Sequence, residues 1–168
     1  MELFFRDNFF NAGETQIMDA SGASAGTIDL QHMFSETLTI YGPEGDLRCT
    51  GKFRFLSGKW EVLDAAGSTL GILKRKLTLF SKKYEYDAGP RGVYRIDSPA
   101  FSKSYVIVDD SESEVASFEK TSQWLQAGAF RLHNQAATLD SYELIAVVMV
   151  VHSIQKRNSS AAANANAN

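Results

Sequence analysis

Gly22-Ala23-Ser24-Ala25-Gly26 matches G-x-S-x-G, the pattern that seats the nucleophile of many serine hydrolases on a sharp strand-to-helix turn. Acyl transfer through Ser24 would need a strand before that turn, a helix after it, and a base within reach. Three histidines, His32, His133 and His152, are spread along the chain without a ligand or relay spacing. The acidic run Asp109-Asp110-Ser111-Glu112-Ser113-Glu114 invites a calcium reading, but it lacks the central glycine and terminal glutamate that an EF-hand loop requires. No phosphate loop, dinucleotide fingerprint or zinc pattern occurs. No catalytic residue, metal or cofactor is therefore expected.

The neighbours of Ser24 explain it better. Met18-Asp19-Ala20-Ser21-Gly22-Ala23-Ser24 recurs at one fixed interval as Leu63-Asp64-Ala65-Ala66-Gly67-Ser68-Thr69 and again as Val108-Asp109-Asp110-Ser111-Glu112-Ser113-Glu114. Each copy runs apolar, Asp, short polar stretch, and each leads into an extended segment. Asp can accept from the backbone two residues on, and Gly tolerates positive φ, so these are hairpin corners. The copies of Ser24 are Thr69 and Glu114, which share no chemistry. Further turns are signalled at Gly42-Pro43-Glu44-Gly45-Asp46 and at Ala88-Gly89-Pro90-Arg91-Gly92.

Between the turns, polarity alternates. Leu47, Cys49, Gly51, Phe53 and Phe55 share one face of an extended segment, and Arg48, Thr50, Lys52 and Arg54 the other. In a later pair of strands Trp60 and Val62 share a face, as do Leu73, Leu77 and Leu79, with Arg75 the exception on that apolar face. Tyr84, Tyr86, Tyr94, Ile96, Tyr105 and Ile107 continue the pattern, giving about twelve short strands. The last segment, from Asp140 to Arg157, is instead expected to be a helix. Asp140 and Glu143 stand at capping-box spacing, and Leu144 to Val151 carries no polar stripe. Such a helix must be wrapped on all sides, and its uncharged run is too short to span a bilayer, which takes about 20 residues. A closed antiparallel barrel around the helix satisfies both sets of apolar surface and leaves no sheet edge.

Composition sets the remaining bounds. A chain of 168 residues suits one domain, expected over residues 1–157, with the Ala/Asn-rich residues 158–168 as a disordered low-complexity tail. A single cysteine excludes an internal disulfide, and with no signal peptide the expected location is cytoplasmic, peripheral to a membrane at most. With a net charge of −3, anion binding must come from a local patch, and nucleic acid is not the expected partner. Alternation places Arg48, Lys52 and Arg54 outward on one strand and Lys74 and Lys76 outward on another, with Lys82 and Lys83 just beyond. These seven are the candidate ligand-binding residues, for an anionic phospholipid surface or an acidic protein partner. At roughly 1 kcal/mol per basic residue, five would supply a weak, sub-millimolar, salt-sensitive attraction.

The hairpin series, the stretch LGILKRKLTLFSKKYEY at 70–86 and the terminal DSYELIAVVMVVHSIQKR resemble the LURP-one-related proteins, which group with Tubby C-terminal domains and phospholipid scramblases. The resemblance implies a twelve-stranded barrel with a buried C-terminal helix. It implies less about activity, since Tubby domains bind phosphoinositide headgroups and scramblases act on membranes with calcium. The cysteine-rich segment that scramblases use for palmitoyl anchoring has no counterpart, and Cys49 falls on the inward face. The expected function is a non-catalytic binding module using its basic face. The alternative is an enzyme with its active site at a loop or at the rim of the barrel.

Overall fold

The computed structural model describes residues 1–6, 10, 13–30, 37–54, 59–77, 82–98, 103–122 and 128–165; the side chains of 76, 77, 82, 83 and 157–165 are outside that description, as are Phe55, Leu79 and His32 altogether. Twelve strands form one closed antiparallel barrel: β1 (Glu2–Phe5), β2 (Gly13–Met18), β3 (Ser24–Leu30), β4 (Thr37–Tyr41), β5 (Leu47–Arg54), β6 (Lys59–Asp64), β7 (Thr69–Leu77), β8 (Lys82–Asp87), β9 (Val93–Asp97), β10 (Tyr105–Val108), β11 (Glu114–Thr121) and β12 (Ala129–Asn134). Each strand pairs with its sequence neighbours, and β1 closes the ring on β12 with Leu3 opposite Leu132.

The two ends of the barrel differ. At one end every connection between β2 and β11 is a tight turn. Asp19, Asp64 and Asp109 each use Oδ1 to accept from the backbone N–H groups two and four residues on, at 2.8–3.0 Å. The residue three after the aspartate has positive φ: Gly22 at 86°, Gly67 at 83°, and in the third copy Glu112 at 63°. A register shift follows in the strands flanking each of these turns, as a bulge beside a left-handed residue requires. The strand ends away from these turns, among them Leu30, Thr37, Arg54, Lys59, Leu77 and Lys82, mark the opposite, loop end of the barrel.

The single helix α1 (Ser141–Ala165) enters at the tight-turn end and runs up the axis. Ser141 to Val151 are all buried, joining Ile28, Ile40, Val62, Tyr86, Ile96, Phe118 and Leu132 from the strands in one core. The helix passes close to β5, where a Cβ on Gly51 would lie 3.0 Å from Leu38 Cγ and 3.4 Å from Val150 Cγ2. Asp140 Oδ1 accepts from the Tyr142 N–H at 2.8 Å and caps the helix, but Glu143 does not complete the capping box; it is engaged elsewhere. The helical backbone runs past Arg157, where the sequence placed the end of the domain, through the alanine-rich stretch to Ala165. Alanine has the highest helix propensity, so extending an existing helix through that stretch costs little.

Ser24 opens β3, is exposed, and is followed by a strand. The strand-to-helix turn that acyl transfer would need is not there. The acidic run is likewise a hairpin corner whose first carboxylate is occupied by backbone amides. Cys49 is buried, with its thiol donating to the Tyr142 carbonyl at 3.3 Å, and burial pushes its pKa well up, so the sulfur stays protonated.

Candidate anion-binding rim

The cations are sorted along the barrel axis. Towards the tight-turn end and the middle, they are held by acids. Arg48 pairs with Asp46 at 2.8 Å, Lys74 with Asp87 at 2.9 Å, Arg95 with Asp97 at 2.9 Å and also with Glu112, and Arg131 with Glu119 at 2.6 Å. Arg91, the last residue of the Gly89–Arg91 turn of 3₁₀ helix, forks onto Glu143 with both terminal nitrogens at 2.7 Å. Tyr86 donates to the same carboxylate at 2.5 Å.

Towards the loop end the arrangement changes. Arg6, Lys52, Lys59, Arg75, Lys103 and Lys120 are all exposed, and none has an ion pair among the described residues. They come from β5, β6, β7 and β11 and from the residues beside β1 and β10, so they ring the rim rather than cover one face. Glu14 and Asp29 stand directly across from each other on β2 and β3 and supply negative charge on that side. Lys52, Lys59, Arg75, Lys103 and Lys120 therefore form a positive arc on the opposite side, from β5 through β11, with Arg6 beside β1 outside it.

Of the seven residues that alternation singles out, Lys52 belongs to this arc. Lys76, Lys82 and Lys83 have their backbone at the loop end, with Lys76 directly opposite Lys83 in the register. Arg54 is at the same end but pairs with Glu61 at 2.7 Å. Lys74 is tied to Asp87, and Arg48 lies at the far end of β5, about 20 Å from Arg54 at 3.3 Å per residue, its guanidinium over the Tyr142 ring at 5.3 Å. The structure thus gathers part of the set and leaves Arg48 apart. Alternation reports which face a side chain takes; it does not report position along the barrel or the acid on the next strand.

The helix leaves the barrel through this rim. His152 stacks on Phe10 with ring centroids 3.8 Å apart, and its Nδ1 lies 3.0 Å from the Tyr105 hydroxyl. Lys103 stands over the other partner of that stack, 5.6 Å from the Phe10 centroid. Burial, and then the charges of Lys103 and Lys156, lower the His152 pKa to about 4, so the imidazole is neutral near pH 7. Arg6, Lys59, Arg75, Lys103 and Lys120 were missed in the sequence as binding residues; only Arg75 left a trace, as the charged residue on an apolar face.

Among the described residues no group of His, Cys, Asp and Glu gathers as metal ligands would, and no helix is long and apolar enough to cross a membrane. No protein-family model and no curated protein matches the sequence. A solved structure does: the X-ray structure of a protein from Arabidopsis thaliana superposes over 91% of this chain and 91% of that one, with a TM-score of 0.61 and 13% sequence identity. Identity that low, with coverage that complete, shows a shared fold: the closed twelve-stranded barrel around one helix is common architecture.

Proposed function

We propose that the protein is a non-catalytic binding module that docks on an anionic phospholipid surface with the loop end of its barrel. The observation that carries this reading is the sorting of cations, with acids holding those near the tight turns and the rim exposing six without ion pairs among the described residues. Solvated lysines on a barrel wall need no partner, but a set that outnumbers the acids at one end produces a directed positive field. The interior supports a surface function, because α1 occupies the axis and ligands must meet the protein at its ends or outer face. The reading treats the chain as LURP-one-related, within the Tubby C-terminal and scramblase grouping, and places it in the cytoplasm at the membrane periphery. The barrel shared with the Arabidopsis protein supports the fold component of that assignment.

Co-sedimentation with phosphatidylcholine vesicles, with and without phosphatidylserine, tests the reading at low and high salt. Lys52, Lys59, Lys103 and Lys120 each contribute about 1 kcal/mol near an anionic surface, so charge reversal at all four abolishes measurable retention. Arg48→Gln and Lys74→Gln, which remove cations already paired with acids, leave it near wild type. Equal binding by the reversed variant would overturn the rim assignment. No wild-type retention even at low salt would overturn the lipid reading and turn attention to an acidic protein face.

A further inference from the structure

The hydroxyl of Tyr84 breaks a rule that the other buried tyrosines of the barrel obey. Tyr86 donates to Glu143, Tyr94 to the Arg91 carbonyl, and Tyr142 to the Ala25 carbonyl, while Tyr105 lies against His152. Tyr84 is 0% exposed and its hydroxyl has no hydrogen-bond partner among the described residues. The other buried side-chain polar atom so left among the described residues, Arg131 Nε, belongs to a guanidinium already bound to Glu2 and Glu119. An unmet buried hydroxyl is costly, and a fold that satisfies its other buried tyrosines retains one for a reason.

The residue directly across from Tyr84 is Arg75 on β7. By strand parity Arg75 continues the inward face of Gly71 and Leu73, yet it is exposed, so it sits where that face reaches the rim. It has no ion pair. The charge that bears on Tyr84 is that of Arg75, and it is positive, as are those of Lys103 and Lys156 that bear on His152 further round the rim. A phenolic donor beside an uncommitted guanidinium, in a field of further cations, is oxyanion-binding chemistry. Arg75 and Lys103, both exposed at this rim without an ion pair among the described residues, favour a dianion over a single carboxylate.

We propose that Arg75 and Tyr84 form a site for a phosphate monoester at the rim of the barrel, with the Tyr84 hydroxyl donating to one phosphate oxygen and the Arg75 guanidinium to others. This rests on the loop-end docking reading and sharpens it to one chemical group. The hydroxyl is covered in the free protein, so the anion reaches it when a rim side chain rotates. Arg75 is long, exposed and without an ion pair among the described residues, and side-chain rotamer changes are common on binding.

Binding of inorganic phosphate is measured by calorimetry against chloride at matched ionic strength. Wild type binds, and Tyr84→Phe and Arg75→Gln each weaken binding by about tenfold or more. Tyr84→Phe also melts no lower than wild type without phosphate, because it removes an unmet polar group, so lost affinity is separable from lost fold. Vesicles of phosphatidylcholine containing phosphatidic acid, which offers a monoester, are then compared with vesicles containing phosphatidylserine. Preference for phosphatidic acid, lost in both variants, identifies a lipid headgroup as the source; phosphate binding without that preference identifies a soluble phosphate. If both variants bind phosphate like wild type, the site is wrong, and retention on phosphatidylserine vesicles that still depends on Lys52, Lys59, Lys103 and Lys120 leaves the docking reading standing. If wild type binds neither phosphate nor anionic vesicles, both fail.

Discussion

Arg91 and Glu143 join the wall of the barrel to the helix inside it. Both guanidinium nitrogens reach the carboxylate at 2.7 Å, and the same arginine donates to the Leu70 carbonyl at 2.6 Å and the Thr138 carbonyl at 3.2 Å. Glu143 is 1% exposed, so its charge depends on this arginine and on Tyr86 for compensation. Gly71 makes room for the arrangement, since a Cβ there would overlap the Tyr86 ring.

Arg91→Ala should therefore be costly for a residue in a turn. It strands a buried carboxylate, and breaking such a pair costs about 3–5 kcal/mol, towards the lower figure here because Arg91 is partly exposed. Glu143→Gln, which keeps the shape and removes the charge, should cost less. Urea denaturation of both variants checks the order; an Arg91→Ala protein as stable as wild type would remove this pair from the account of how the helix is held.

The helix interior makes a second demand. Val148 is fully buried, with apolar neighbours above and below it on α1. Val148→Asp places an unpaired carboxylate there at a cost of several kcal/mol, enough to unfold a domain of ordinary stability. Circular dichroism and thermal melting read the outcome, and a cooperatively melting variant with unchanged midpoint would contradict an axial helix.

Ser24→Ala is the opposite case. The side chain is exposed at the start of β3, a strand rather than a helix follows it, and its counterparts in the other corners differ in type. Stability should stay within about 0.5 kcal/mol of wild type. Labelling of Ser24 by a serine-reactive active-site probe would reopen the acyl-transfer reading.

What the sequence disclosed, and what it did not, follows the range of each interaction. The corners at Asp19, Asp64 and Asp109 are local, each carboxylate bonding amides within four residues, so composition alone revealed them. Barrel closure was legible because alternating strands and a helix apolar all round have few joint solutions. The partner of Glu143 was not legible. Its spacing from Asp140 suggested a capping box, while Arg91, far away in sequence, read only as part of a turn. The rim was hidden for a related reason: Arg6, Lys59, Lys103 and Lys120 come from different strands and share one end of the barrel only through its topology. Arg75 alone left a mark, as a charge out of place on an apolar face.

The last prediction concerns acid. His152 is held neutral because burial against Phe10 and the nearby charges of Lys103 and Lys156 penalise its protonated form, placing its folded pKa at about 4 against an ordinary 6.5. Above pH 6.5 neither the folded nor the unfolded chain protonates it, and the residue makes no difference to the pH dependence of stability. Between about 6.5 and 4 the unfolded chain takes up a proton that the folded chain refuses, so stability falls as the pH falls. The slope is at most about 1.4 kcal/mol per pH unit, and less in practice because the ring is partly exposed. Below about 4 both states carry the proton and the contribution levels off. Asp19, Asp87 and Asp109, whose hydrogen bonds hold their pKa values below the ordinary 3.8, act in a lower range, where stability is lost as the pH drops through their folded values. Urea denaturation at pH 7 and pH 5 should therefore show a loss in wild type that His152→Gln reduces, because glutamine does not titrate and still offers a polar group to Tyr105. An equal loss in the variant would show that the acid sensitivity of this window arises elsewhere in the barrel.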